Sequence, residues 1–407
     1  MHIPTLGRLL DGAAFLFART RLGETVSADP VLGSLGVTGL KYNPDDLVGK
    51  RGLAVYDEMQ HDAQVQACLT IKKLSILSRG WQVHPASDDA QDVAVADFVR
   101  WALLAMRGSI LDVLYNVLDA LAKGFSVLEI NYSLVETGQY AGRVGLMSVK
   151  SKDPSSFLFE TDRYMNVTAL RQRGAPGEPA YPPDKFLLYT YRPSYESPYG
   201  VPDLRAAYRH YWSKDLLVRF MNLYLEKYGS PTAKGTYRRG TPRAAQEELL
   251  KVLDRIKQQT AIVVPDDVAV ELMEARRGGE AGYLAALEWH DKQIAKAILG
   301  QTLMTDEGMR VGSFAMAKVH LDILKMCLRK LKRDLEESVM SEQLIRRLVK
   351  INFGDVATPT FCLGPLEDRD FETVANAVTK LVSGEIVAPD EAWIRESLGI
   401  PAKGEGT

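Results

Sequence analysis

Apolar positions recur at helical spacing from about Ala54 through "DEMQHDAQVQACLTIKKLSILS", which predicts a helix there. The pattern then switches to alternation in "GWQVHPAS", a short strand with Trp81 and Val83 on one face and Gln82 and His84 on the other. "QDVAVADFVRWALLAM" and "SILDVLYNVLDALAKG" return to helical spacing, with Ser109 as an N-cap for the second and Gly124 as its stop. Period-two runs follow in "FSVLEINYS", "RVGLMSVK", "NVTALRQR" and "KFLLYTY". The first 200 residues therefore read as a mixed α+β unit, preceded by an extended Gly-, Pro- and Asp-rich stretch over residues 21–50.

After "SPYG" and Pro202 the pattern "DLRAAYRHYWSKDLLVRFMNLYLEKYG" predicts about 27 residues, or ~40 Å, of helix ending at Gly229. A small α/β unit comes next: strand "PTAKGTY", helix "TPRAAQEELLKVLDRIKQ", then strands "TAIVVP" and "VAVELME" around a "PDD" turn, closed by "RRGGE". A second long helix, "YLAALEWHDKQIAKAILG", leads back to Gly300. An inserted unit between an outgoing and a returning helix is a knob on a stalk. The polar loop "QTLMTDEGMRVGS" precedes a helix expected from Ser313 to about Lys350, with Leu321, Leu324, Leu328, Leu331 and Leu335 in a packing seam. "TPTFCLG" is a last strand, and "EDRDFETVANAVTKLVSG" and "PDEAWIRESLG" are two short helices.

Composition adds limits. With 407 residues, 46% hydrophobic and 25% charged, the chain has room for two or three domains and a sizeable core. A net charge of -2 argues against strong phosphate clamping over the whole surface, because tight nonspecific nucleic-acid binders are basic. The three cysteines, Cys68, Cys327 and Cys362, form no CxxC and fit buried small hydrophobes in a reduced compartment. Asp11 interrupts the apolar start, so an amphipathic helix is expected there rather than a secretory signal. No apolar run is long enough to span a membrane.

Chemistry is sparse. "GKRG" at 49–52 lacks the hydroxyl and upstream glycine of a phosphate-binding loop. The six histidines show no ligand spacing, and no nucleophile motif is present. The acidic groups at 265–267 and 367–370 read as a turn and a helix start. Lys318, Lys325, Arg329 and Lys332 share one arc of the long helix: a solvated face, or a surface turned toward a polyanion. No catalytic residue, metal or cofactor is expected. The residue-level alternatives are a metal-dependent DNA-processing enzyme and a monomeric adaptor or scaffold protein.

Three segments together resemble the phage portal protein family, in the branch similar to the portal of phage Mu. Tyr56, Met59, Asp62, Val65, Trp81, Val83, Pro85 and Ala86 match its opening pattern. Gly124, Phe125, Ser126 and Glu129 match a second segment. Pro198, Tyr199, Gly200, Leu204, Arg205, Trp212, Lys214, Glu226, Lys227, Tyr228, Gly229 and Pro231 match a third. The resemblance runs from about residue 45 to 400.

The resemblance implies an α+β portal-like fold: a wing (46–200, with a strand at 353–365), a first stem helix (201–229), a clip (230–280), a second stem helix (281–300), a tunnel loop (301–312), a tunnel helix (313–352) and a small crown (366–407). Residues 1–45 are an N-terminal arm, of which the first 40 match nothing in the family. It further implies a ring, usually of twelve, at the capsid vertex, assembled in the host cytoplasm and carried in the virion. Its implied partners are sliding double-stranded DNA, the terminase large subunit, a head-completion adaptor, and the major capsid protein or scaffold. Thr305, Asp306, Glu307, Gly308, Met309, Arg310 and Val311 are the expected channel constriction. The four basic residues above are expected as possible channel lining. Lys234, Tyr237, Arg238, Arg239, Arg243, Asp266 and Asp267 are the expected clip residues for motor docking.

Overall fold

The computed structural model describes residues 39–41, 43–228, 232–237, 239–256, 269–273, 278–301 and 314–366. Residues 302–312 of the expected tunnel loop, the "TAIVVP" strand, the "PDD" turn and both C-terminal helices lie outside the described residues, as do residues 1–38.

The first half is mixed helix and antiparallel sheet. β1 (Gly39–Lys41) precedes two short helices, α1 (Asp46–Arg51) and α2 (Ala54–Met59), and then α3 (Ala63–Leu77). The uniform periodicity near Ala54 thus hides a break. The Asp62 carboxylate accepts from the amides of Gln64 and Val65, so it caps a new helix and ends the old one. Helix α1 also sits inside the stretch expected to be extended. Strand β2 (Trp81–His84) leads to α4 (Ala90–Ala105) and then to α5 (Ile110–Val117) and α6 (Ala120–Lys123), which the sequence reads as one helix. Ser109 accepts from the Leu111 amide as expected, and Gly124, at φ 89°, ends α6. Among the described residues no single helix is long and apolar enough to cross a membrane.

Strands β3 (Phe125–Leu134), β4 (Val144–Lys152) and β8 (Phe186–Thr190) form one sheet in the order β4-β3-β8. Strands β5 (Phe157–Thr161), β6 (Val167–Gln172) and β7 (Ala180–Tyr181) form another, with β1 at its edge and Gly39 opposite Thr161. β5 and β7 have no counterpart in the alternation read from the sequence. Phe125, Phe159 and Tyr199 meet edge to face at 5.1–5.4 Å and join the two sheets.

The paired long helices are present. α7 (Asp203–Tyr228) and α9 (Gly278–Leu299) pack against one another, and Gly300, at φ 73°, ends the second. The second rod starts at Gly278, so two glycines expected to close the inserted unit lie within a helix. Between the rods, β9 (Thr232–Thr236) pairs antiparallel with β10 (Ala269–Met273), and α8 (Arg243–Ile256) packs on β9.

The last long helix is regular only at its ends. α10 (Phe314–Arg333) passes into a wide-turn π stretch, α11 (Asp334–Ile345), then α12 (Arg346–Phe353). Leu324, Leu328, Leu331 and Leu335 are buried as the seam predicts. The π stretch carries Gln343 onto the edge of β8. Its amide accepts from the Leu188 N–H and donates to the Leu188 carbonyl, both at 2.8 Å. Asn352 does the same to Val144 of β4, at 2.8 and 2.9 Å. Side-chain amides from one helical run thus occupy open backbone groups at both edges of the three-stranded sheet, where an unpaired edge would invite other strands. β11 (Thr360–Leu363) then pairs with β2, placing Phe361 opposite Val83, and Trp81 stacks on Phe361 at 5.7 Å. Cys68 is buried as expected, but Cys327 is exposed.

Candidate functional site at the root of the rods

Several of the residues that carry the resemblance gather where the rods leave the mixed body. Gly124 ends α6, and Gly200 stands three residues before Asp203, where the first rod begins. A Cβ on Gly124 would lie 2.4 Å from the Tyr199 carbonyl oxygen. One on Gly200 would lie 2.3 Å from the carbonyl oxygens of both Gly124 and Tyr191. Gly200 also has φ 63°, so glycine is required twice over, by contact and by backbone conformation. The Tyr191 amide donates to the Gly124 carbonyl and the Val201 amide to the Tyr191 carbonyl. These bonds fix the point from which α7 departs.

One buried ammonium then grips both rods. Lys72, on α3, donates to Asp203 Oδ2 at 2.6 Å, to the Ile298 carbonyl at 2.8 Å and to the Tyr191 hydroxyl at 3.3 Å. Asp203 is the first residue of the outgoing rod, and Ile298 belongs to the last turn of the returning one. Burial works against the charge on Lys72, but Asp203 and Tyr191 outweigh it and lift its pKa above the ordinary lysine value. The neighbouring Lys73 is also buried, bonded to Asp119 and lying 4.3 Å from the Tyr115 ring centroid.

A second grip lies farther out. Lys214 bonds Asp62 at 2.8 Å and Asp291 at 2.6 Å, tying the first rod to the cap of α3 and to the second rod. Burial again opposes the charge, and the two carboxylates again prevail, raising the Lys214 pKa. Beside it, the Nδ1 atoms of His210 and His290 approach to 3.2 Å across the rods, with Trp289 edge-on to both rings. Both histidines are held below the ordinary imidazole pKa. Desolvation leads in each case, followed by His290 and Arg209 for His210, and by Lys214 for His290 against the opposing Asp291. Burial, with Asp291 and Asp62, pushes the Cys68 thiol up to about 12, leaving it unreactive at neutral pH.

A third grip is at the surface. Arg205 bonds Asp45 at 3.0 Å and Asp46 at 2.7 Å, and Tyr56 donates to Asp45. Six positions read from the sequence as a motif, Tyr56, Asp62, Gly124, Gly200, Arg205 and Lys214, are therefore parts of one joint. Lys72, Asp203, Tyr191, His210, His290 and Asp291 belong to it and were not singled out. The one available signal was Lys72, a cation in the buried register of an apolar helix face.

The structure does not bring the expected site residues together at this joint. Thr305 to Val311, Arg238, Asp266 and Asp267 lie outside the described residues, as do the side chains of Lys234 and Lys318. Tyr237, Arg239 and Arg243 are exposed on the inserted unit. Of the basic arc, Lys332 is half-buried and 3.3 Å from Glu336, Lys325 is half-buried, and Arg329 is exposed.

The family described as "Portal protein of Mu bacteriophage" matches residues 53–400. The portal protein of Escherichia phage Mu is 26% identical over 364 residues, covering 88% of this chain and 68% of that protein. The Mu-like prophage FluMu protein gp29 of Haemophilus influenzae is 25% identical over 362 residues, with the same coverage. A chain from the virion of a native gene transfer agent particle aligns with TM-score 0.61 at 12% identity, over 92% of this chain and 98% of that one. A chain from the neck of that particle, determined with C12 symmetry, gives 0.59 at 11% identity with the same coverage. The fold is α+β and portal-like, and the chain belongs to the portal protein family represented by that of phage Mu.

Proposed function

We propose that this portal protein assembles head to tail into a ring, twelve-fold as the symmetry of the structurally similar neck suggests, and that the ring is the conduit for double-stranded DNA at a capsid vertex. The carrying observation is the rod pair, gripped at its root by Lys72, with β9, α8 and β10 inserted at the far end. A rigid arm holding a small unit away from the body presents that unit to proteins outside the shell. In this reading the body is the wing, the rods are the stem and the inserted unit is the clip. Tyr237, Arg239 and Arg243 are exposed there for docking by the terminase large subunit and later by a head-completion protein. Residues 305–311 form the constriction around DNA. A net charge of -2 suits a channel through which DNA slides, since fixed phosphate contacts would brake it. The role is structural rather than catalytic, its location the virion, and its inner neighbours the major capsid protein or scaffold.

Mass photometry of the full chain, with negative-stain imaging, tests the ring. Twelve copies of 45.2 kDa give about 540 kDa. A discrete species of that order with a central hole is expected. A chain that stays monomeric at every salt concentration overturns the proposal.

A further inference from the structure

The first rod carries apolar side chains that its own fold does not bury. Trp212, Leu216, Phe220 and Leu223 are exposed, from 37% at Leu216 to 59% at Leu223. At about 100° per residue they fall within an arc of about 80°, a continuous stripe roughly 16 Å long. The line of His210, Lys214 and Tyr224 marks the side that meets the second rod, through His290, Asp291 and Tyr283. From that line the stripe lies about 120° round in one sense. Leu225, also exposed, lies about 60° round in the other sense, and exposed Leu284 of the second rod falls on the same side as Leu225. The surface facing directly away from the second rod is charged, with Asp215 and Arg219 paired at 2.9 Å. The rod pair therefore has two apolar faces on opposite sides and a polar ridge between them. Exposed apolar surface of this extent marks an interaction site.

Resting on the ring reading above, we infer that these two faces bind each other in successive copies of this chain: the Trp212–Leu223 stripe of one subunit packs on the Leu225 and Leu284 patch of the next. A head-to-tail contact that closes into a ring needs two different complementary patches on each copy, and an isologous dimer needs only one. Two apolar faces on opposite sides of one rigid rod pair meet that requirement. The stripe runs along the rod, which is the line on which parallel neighbours around an axis touch. A protein binding at the far end would cover the inserted unit instead.

The test uses full-length chains. Leu216→Glu with Phe220→Glu spoils the stripe, and Leu225→Glu with Leu284→Glu spoils the patch. All four positions are exposed, so circular dichroism melting should stay near wild type, and the corresponding Gln variants guard against misfolding. Each charged variant alone is expected to need about 100-fold more protein to assemble, by mass photometry. Mixing the two leaves one sound stripe and one sound patch, on different chains. That mixture should form dimers and stop there. Folded variants that assemble like wild type, or a mixture that gives no dimer, overturn the inference while a wild-type ring leaves the ring reading standing. A wild-type chain that never assembles overturns both.

Discussion

Replacing Lys72 with methionine removes the ammonium that joins body and rods while keeping most of the stem volume. Its side chain is 5% exposed, and that of Asp203 is 3%. The substitution leaves Asp203 buried with the Tyr191 hydroxyl at 3.1 Å and the Arg192 guanidinium at 3.6 Å. It also strips a donor from the Ile298 carbonyl in the last turn of the second rod, where helix carbonyls lack backbone partners. Breaking a buried pair by deleting one partner costs about 3–5 kcal/mol, because the surviving charge is uncompensated. Arg192 is solvent-exposed but close, which puts the cost near the lower end, about 3 kcal/mol. The assay is native-state hydrogen exchange at residues 203–208 and 294–299, since a chain of several units has no single unfolding free energy. A loss of 3 kcal/mol accelerates exchange there about 150-fold, while the amides of β3 keep their protection. Lys72→Met with Asp203→Leu should recover much of the loss, since an apolar pair replaces a buried ion pair without orphaning a charge. Exchange within a few-fold of wild type in the single variant, or simple additivity in the double, refutes the claim that this cation holds the rods.

Two further outcomes follow from the same joint. Gly200→Ala places a methyl group against two carbonyl oxygens in a left-handed backbone, and should cost about 3 kcal/mol or more, read as a lowered melting temperature and poor soluble yield. His210 and His290 are held below the ordinary pKa of 6.5 in the folded chain. The unfolded chain therefore takes up protons first as pH falls, so stability is lost from about pH 6.5 downward through the depressed folded values. His210→Gln should flatten that acid limb in a series of melting temperatures, and an unchanged slope would show that the pair does not titrate as described.

What could be read in advance divides along a physical line. The rods were legible because long 3.6-residue periodicity between glycine stops has few other solutions, and the inserted unit followed from its position between them. Helix breaks were harder. Asp62 separates α2 from α3 by capping the second helix, and its side chain fits the surrounding periodicity as well as a helical residue would. The π stretch was not legible, because it accompanies the docking of Gln343 on Leu188, a contact spanning 155 residues. The joint was half legible. Gly124, Gly200, Arg205 and Lys214 stood out as a pattern, but nothing local pairs Lys72 with Asp203, 131 residues away. A lysine at a buried helical position does announce that a partner must exist, because an isolated buried ammonium is too costly to persist.

The joint uses directed charge where apolar packing alone could hold two helices to a body, and the proposed packing of the two rod faces between subunits would supply a reason. Ridge-into-groove packing of apolar helices leaves a scatter of about 15–20° in their relative angle, so it sets orientation only loosely. The stripe spans only about 80° of the first rod, so a roll of half that would carry part of it out of line with a neighbour. Lys72 grips both rods at their base, and Lys214 grips them again 11 positions beyond Asp203, about 16 Å along the helix. Two fixed points on a rod set its direction, and hydrogen bonds of defined azimuth at each point set its roll. Between them, the close His210–His290 approach would be lost if either rod turned independently. The joint thus fixes the orientation of a surface that starts at Trp212, nine residues beyond the buried pair. In the proposed ring, closure would be the step most sensitive to that orientation, because a small angular error repeated from subunit to subunit leaves an open helix instead of a closed circle.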